Sequence, residues 1–318
     1  MSGTRTLRLG TRRSALATVQ SGMVAADVAE ATGRPVELVE INTYGDTSQA
    51  TNELLAQIGG TGVFVNALRE ALLAGEIDFA VHSLKDLPTA APERLALAAV
   101  PRREDVRDVL VARDGRKLAD LPSGARVGTG SPRRAAQLRL LRSDIEVVAI
   151  RGNVDTRVGY VATGRLDGVV LAYAGLSRLG RIAEATDLFD PADFLPAPGQ
   201  GALAVECRAD DAAMRELLGV LDDPASRAAV AAERSLLAVL EAGCSAPVGA
   251  YALPDPENDR ELTVTGLVAS TDPAAPPRSV RASLAGPTDE AERLGAELAA
   301  RMLAQGAAAL MAQTGAGQ

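Results

Sequence analysis

Phe79-Ala80-Val81-His82-Ser83-Leu84-Lys85-Asp86-Leu87-Pro88 is an apolar run that breaks into a polar turn. Its first four residues read as a buried strand and the remainder as the strand's exit, the end at which an open α/β sheet places its chemistry. At such an exit Asp86 can exchange a proton or stabilise a developing cation, and Lys85 can neutralise a carboxylate. The same two residues also suit a structural turn carrying a surface ion pair. His82 is the only histidine. It reads as a core or strand-end residue, and a histidine-rich metal site is excluded, so no metal is expected.

The same junction recurs along the chain. Leu7 to Gly10 reads as a first strand, and Thr11-Arg12-Arg13-Ser14 opens a helical pattern that runs through Ala31. Backbone N–H groups and Arg12 there suit an anion, with a solvated helix start as the plain alternative. Val127-Gly128-Thr129 is followed by Ser131, which can cap a helix, and by Pro132, which fits a first turn. Arg133 and Arg134 sit at that N-terminus, where cations oppose the helix dipole unless an anion or acidic partner lies near. Glu146 to Ile150 leads into Arg151-Gly152-Asn153-Val154-Asp155-Thr156-Arg157, and Gly168 to Leu171 leads into a turn ending at Arg178. Repetition of strand and basic turn favours a bilobal cleft holding Arg151, Arg157 and Arg178.

The chain of 318 residues has room for two or three domains, and 47% hydrophobic residues argue against disorder. A net charge of −8 disfavours a general nucleic-acid surface, and four phenylalanines without tryptophan give little support to base stacking. Cys207 and Cys244 do not make a disulfide framework. With no signal segment and no apolar run that would span a membrane, a cytoplasmic location is the simplest expectation. Nearly all basic residues are arginines, Lys85 and Lys117 excepted, and a guanidinium fork suits carboxylate ligands.

Crossings between lobes are expected at Pro101 to Asp105 and at Pro196 to Ala202, with Leu203 to Cys207 returning as a strand that makes Cys207 structural. Asn42 to Gly62 reads as a lid or an ordinary surface loop, with a short helix near Glu53 to Ile58; it is not a P-loop. Val63 to Leu73 and Pro224 to Leu240 read as helices. Gly243 ends the second of these, so that Cys244 falls on a short connection, either as a presented thiol or as a small buried residue. Strands over Val248 to Leu253, Glu261 to Ala269 and Val280 to Leu284, with a helix from Asp289 to Leu303, complete a smaller third unit.

Taken in order, Thr11-Arg12-Arg13-Ser14-Ala15-Leu16-Ala17, Val81 to Pro88, Gly128-Thr129-Gly130-Ser131-Pro132-Arg133-Arg134, Arg151 to Arg157, Leu195-Pro196-Ala197-Pro198-Gly199-Gln200-Gly201 and Gly243-Cys244-Ser245-Ala246-Pro247-Val248 resemble the porphobilinogen deaminase family, also called hydroxymethylbilane synthases, over nearly the whole length. The resemblance implies an α/β fold of two periplasmic-binding-protein-like lobes plus a smaller α+β C-terminal domain. Residues 1–101 with 201–219 would form the first lobe, 102–200 the second, and 220–318 the cofactor-carrying domain.

It further implies a dipyrromethane cofactor, covalently attached to Cys244 through a thioether. Four porphobilinogens would join this primer head to tail, ammonia leaving at each addition, before hydrolysis frees hydroxymethylbilane. Loss of the aminomethyl nitrogen makes an electron-poor azafulvene, which the free α-carbon of the growing chain attacks. Asp86 would be the catalytic residue, stabilising the pyrrole N–H and moving protons. Arg12, Lys85, Arg133, Arg134, Arg151, Arg157 and Arg178 would bind acetates and propionates, supported by Ser14, Thr129, Ser131 and Gln200. A monomer, without nucleic-acid or membrane partner, and a transient handover to uroporphyrinogen-III synthase complete the expectation.

One departure is visible: many members have Gly-Gly-Lys-Gly-Leu-Phe where this chain has Gly59-Gly60-Thr61-Gly62-Val63-Phe64, so no lid lysine is assigned at Thr61. The reading from another class is a noncatalytic bilobal anion-binding protein, which gives Cys244 no natural role.

Overall fold

A computed structural model describes residues 5–41, 62–90, 92–241, 246–258, 260–272 and 274–312, with backbone alone at 62–64 and 312. The expected helix near Glu53 to Ile58, the lid segment with Thr61, and Cys244 lie outside the described residues. Strands are β1 (Leu7–Thr11), β2 (Val36–Glu40), β3 (Phe79–Ser83), β4 (Leu95–Ala99), β5 (Asp108–Ala112), β6 (Arg126–Thr129), β7 (Glu146–Ala149), β8 (Gly168–Ala172), β9 (Asp187–Leu188), β10 (Leu203–Arg208), β11 (Val248–Pro254), β12 (Glu261–Ala269) and β13 (Ser279–Pro287). They form sheets of order β2-β1-β3-β10-β4, β7-β6-β8-β5-β9 and β11-β12-β13.

The first two sheets share one plan. In each, three parallel strands have the first-formed in the middle, and a fourth strand runs antiparallel beside the third: β10 beside β3, and β5 beside β8. Parallel strands covered on both faces read as continuous apolar runs, and Phe79 to His82 and Gly168 to Leu171 are buried throughout. The chain is thus α/β with two sheet lobes and a smaller C-terminal sheet domain.

Two compact units divide the chain: 1–104 with 202–227, and 105–201 with 228–318. In the first, Leu9, Val28, Phe79, Val205 and Leu218 pack between the sheet and the helices Ala15–Thr32 and Ala212–Gly219. In the second, β11 to β13 have a core of their own with the helices Pro224–Val239 and Ala291–Ala304. Helix Ala291–Ala304 comes so close that a Cβ at Gly295 would overlap the carbonyl oxygen of Ala232. That core also attaches to the turn before β10. Ala250 N–H donates to the Pro196 carbonyl at 3.0 Å, and the buried Glu233 accepts from Gly199 N–H at 2.6 Å and Ala252 N–H at 2.9 Å.

Cys207 is fully buried, and burial pushes its thiol up to about 11, which suits a structural residue. Among the described residues no helix is long and apolar enough to cross a membrane.

Candidate functional site

In the first unit, parallel pairing of β1 with β3 brings the turns after both strands to one edge of the sheet. Thr11, the last residue of β1, accepts a hydrogen bond from Ser21 Oγ at 2.9 Å, and Ser83, the last residue of β3, receives one from Gln20 Nε2 at 3.1 Å. Both strand ends are therefore tied to helix Ala15–Thr32, whose first turn Ser14 caps by accepting from Ala17 N–H at 3.4 Å. Arg12 follows β1 directly and is half-buried.

Beyond β3 the chain makes one tight turn, Leu84–Asp86. Leu84 is its fully buried plug, and its N–H donates to the Ala202 carbonyl at 3.0 Å, while Leu87 N–H returns to the Leu84 carbonyl at 3.1 Å. Lys85 and Asp86 are thus held, half-buried, on a turn anchored at both ends. Below them on the strand, His82 Nε2 lies 3.2 Å from Glu206 Oε2, and Arg69 grips the same carboxylate with two hydrogen bonds. Burial raises the Glu206 carboxyl, and the nearby His82 together with the bonds from Arg69 outweighs it, leaving it at about 2.

The second unit repeats the arrangement with a different centre. Thr129 ends β6, and its Oγ1 accepts from Ser131 N–H at 3.1 Å. Ser131 caps helix Pro132–Leu141 by accepting from Arg134 N–H at 3.4 Å. Gly130 between them touches the next strand's exit: the Ile150 carbonyl oxygen is 2.5 Å from where a Cβ would sit, and Arg157 Nη2 is 4.0 Å from that point.

Arg133 and Arg134 are not an exposed pair, being 3% and 6% accessible. Their acidic partner is Asp108, the first residue of β5, which is wholly buried and pairs in register with Ala172 at the end of β8. Arg134 donates to Asp108 Oδ1 from Nη2 at 2.6 Å and Nε at 3.0 Å, and to the Val170 carbonyl at 3.1 Å. Arg133 Nη1 lies 2.7 Å from Oδ2 but directs its hydrogen bond to the Leu195 carbonyl at 2.5 Å. Gln200 adds a bond to Asp108 Oδ1 at 2.9 Å and another to the Val106 carbonyl at 2.8 Å. Burial raises the Asp108 carboxyl, and the two guanidiniums outweigh it, so it stays far below the ordinary carboxylate range.

Arg157 is lowered by burial and then by the charge of Arg134, and its Nε donates to the Gly152 carbonyl at 2.8 Å. Arg151 is exposed on the same exit, and Arg178 ends the helix after β8 with a bond from Nη2 to the Gly201 carbonyl at 2.7 Å. In chemical terms, the second unit presents guanidiniums and a capped helix start, a set suited to carboxylates. The first presents the Asp86 carboxyl group on the turn after β3, next in sequence to Lys85 and at the sheet edge where Arg12 follows β1.

Asp108, Gln137 and Glu233 were not singled out from the sequence. Gln137 holds Leu195 from both sides, accepting from its N–H at 2.7 Å and donating to its carbonyl at 2.9 Å. The available signal was chemical: Asp108 opens the apolar run Val109-Leu110-Val111-Ala112, and Glu233 interrupts the apolar face of its helix.

A family model described as porphobilinogen deaminase, dipyromethane cofactor binding domain, matches residues 7–216, and one described as the porphobilinogen deaminase C-terminal domain matches 227–304. The chain belongs to the porphobilinogen deaminase family. The cofactor-binding match spans every candidate from Arg12 to Gln200, while Cys244 falls in the C-terminal match. Similar proteins include porphobilinogen deaminase 1 of Streptomyces coelicolor, 63% identical over 97% of this chain and 98% of that one. The porphobilinogen deaminase of Thermobifida fusca is 56% identical, covering 98% and 97% of the two chains, and that of Corynebacterium diphtheriae is 51% identical, covering 96% and 99%. Among solved structures, a periplasmic substrate-binding protein from Coxiella burnetii overlaps 72% of this chain and 96% of its own at 14% identity, with a TM-score of 0.43. The fold assignment rests instead on the strand order.

Proposed function

We propose that the chain is a hydroxymethylbilane synthase, a transferase of tetrapyrrole and heme biosynthesis that joins four porphobilinogens on a dipyrromethane primer. Asp86 is its acid and base. The observation that carries this reading is the anchored turn after β3, which presents a half-buried carboxylic acid beside Lys85 and at the same sheet edge as Arg12.

The reaction asks for two proton movements. An acid must protonate the aminomethyl nitrogen of porphobilinogen so that the C–N bond breaks and ammonia leaves, and a base must then take the α-proton from the ring that has been attacked. Asp86 serves both, and its anionic form stabilises the positive charge that appears on the substrate ring in between. Arg12, Lys85, Arg151, Arg157 and Arg178 bind acetate and propionate groups, with Ser14, Thr129, Ser131 and Gln200 as polar supports, Gln200 through its bond to Asp108. Arg133 and Arg134 belong to this set through the donors that Asp108 leaves uncommitted.

Cys244 would hold dipyrromethane through a thioether, and the bound group would supply an α-carbon nucleophile. The donor set fits such a group: two buried guanidiniums facing one carboxylate leave an excess of positive charge that pyrrole carboxylates can neutralise. The reading treats 1–101 with 201–219 and 102–200 as the lobes and 220–318 as the cofactor-carrying domain. It also makes the protein a cytoplasmic monomer with transient handover to uroporphyrinogen-III synthase, for which the native mass in solution is the first test.

Conversion of porphobilinogen by purified protein, together with a two-pyrrole mass increment on the Cys244 peptide, is the expected result. Active protein with an unmodified Cys244 would overturn the primer, and reversible small-anion binding without conversion would favour a noncatalytic anion-binding protein.

A further inference from the structure

The Asp108 carboxylate touches the side chains of Arg133, Arg134 and Gln200 and is assigned no part in the reaction described above. Its surroundings are unbalanced. Arg133 and Arg134 contribute two positive charges and Asp108 one negative, and all three side chains are at least nine-tenths buried. Buried cations that lack an equal number of anions are costly unless something else supplies the missing charge. Arg157, whose charge is felt through Arg134, increases the excess.

The hydrogen bonds show what Asp108 does with this excess. One edge of Arg134, Nε and Nη2, is turned onto Asp108, and Nη1 goes to the Val170 carbonyl. Arg133 is held through Nη1, between Asp108 and the Leu195 carbonyl, with its guanidinium over the Phe194 ring. Its Nε is buried and has no hydrogen-bond partner among the described residues. A buried guanidinium N–H without an acceptor is rare, and here it is oriented by neighbours that are themselves fixed, Leu195 by Gln137 and Asp108 by Gln200.

We infer that Asp108 is a positioning residue for carboxylate binding: it fixes the rotation of Arg133 and Arg134 and leaves the cluster one negative charge short, so that a ligand carboxylate completes it. This rests on the role given to the two arginines under the proposed function. Asp108 acts through them and does not touch the ligand. Replacing it by asparagine preserves shape but supplies an N–H₂ where a guanidinium donates, so one arginine is released from its orientation.

The test uses Asp108→Asn, Arg134→Gln and the double variant as cofactor-loaded proteins. The KM for porphobilinogen is expected to rise about tenfold in Asp108→Asn with a much smaller change in kcat, the size of one misdirected charged hydrogen bond. The double variant should be less than multiplicatively worse than Arg134→Gln alone, because Asp108 acts in part through Arg134 and in part through Arg133. Independent, multiplying effects, or a lowered melting temperature with KM unchanged, would overturn the inference and leave Asp108 a purely structural residue. Should Asp108→Asn fail to fold, Gln200→Leu loosens one support of the carboxylate and should raise KM about threefold, again without a matching fall in kcat; an unchanged KM overturns the inference. A parallel titration with succinate, read as a shift in melting temperature, keeps this test separate from that of the enzyme reaction. Weakened succinate binding in Asp108→Asn supports the positioning role even if the unsubstituted protein converts no porphobilinogen, and unweakened binding counts against it.

Discussion

His82 Nε2 lies 3.2 Å from Glu206 Oε2, and Arg69 donates to both oxygens of that same carboxylate, at 3.0 and 2.7 Å. The carboxyl therefore titrates at about 2 in the folded protein against an ordinary value of 4.5. Between those two values the unfolded chain binds the extra proton. The stability this group contributes is complete above the upper value and is lost as pH falls through the lower one. Glu206→Gln should cost roughly 3 kcal/mol near neutrality and progressively less toward pH 2. Urea midpoints of both proteins at several pH values check this, and a gap that stays constant with pH would contradict it.

Asp86→Asn should lower turnover by about 10² to 10⁴-fold, the usual worth of a positioned acid or base. Leu84 and its backbone bonds anchor the turn without the carboxylate, so the melting temperature should stay near that of the unsubstituted protein. Single-turnover release of ammonia from porphobilinogen measures the step directly.

Gly130→Ala forces a Cβ against the Ile150 carbonyl, a backbone atom that cannot swing aside. About 1–3 kcal/mol of stability should be lost. Because Thr129, Ser131 and Arg157 border the same turn, KM should rise as well, and steady-state kinetics alongside thermal unfolding would show both effects.

Gly295→Ala meets the Ala232 carbonyl in the same way but lies in the core between two helices of the C-terminal sheet domain, where no binding residue is placed. A loss of about 2–3 kcal/mol is expected, with the KM of the surviving folded fraction unchanged. Chemical denaturation separates the two glycines: both variants lose stability, but only the one at 130 changes substrate affinity.

Most of the regular elements are legible in the sequence. Glu261 to Ala269 is a strand over its whole expected length, and the expected strand from Val280 to Leu284 is longer, Ser279–Pro287, because its alternation of half-buried and exposed positions continues through Gly286. β5 was not read, since the expected crossing at Pro101 to Asp105 runs straight into it and only five residues carry the signal. The strand exits, the turn carrying Asp86 among them, were legible because each lies in a local word of sequence. Asp108 was not, since its partners Arg134 and Gln200 are 26 and 92 residues away and nothing local distinguishes it from a solvated strand end. Burial of Arg133 and Arg134 was hidden for the same reason: a charge pair on a helix start looks alike from sequence whether water or a distant carboxylate faces it.

β10 lies between β3 and β4, although both of those strands are complete about a hundred residues before it in the chain. On the ribosome, the first sheet must therefore wait with a gap in its middle while the entire second sheet is made. At ordinary rates of translation that interval lasts roughly 5 to 20 s, with the bare edges of Phe79 to Ser83 and Leu95 to Ala99 open to other chains. Truncation anywhere before Leu203 leaves that gap unfilled, so N-terminal fragments of this protein should need a holding chaperone to stay in solution.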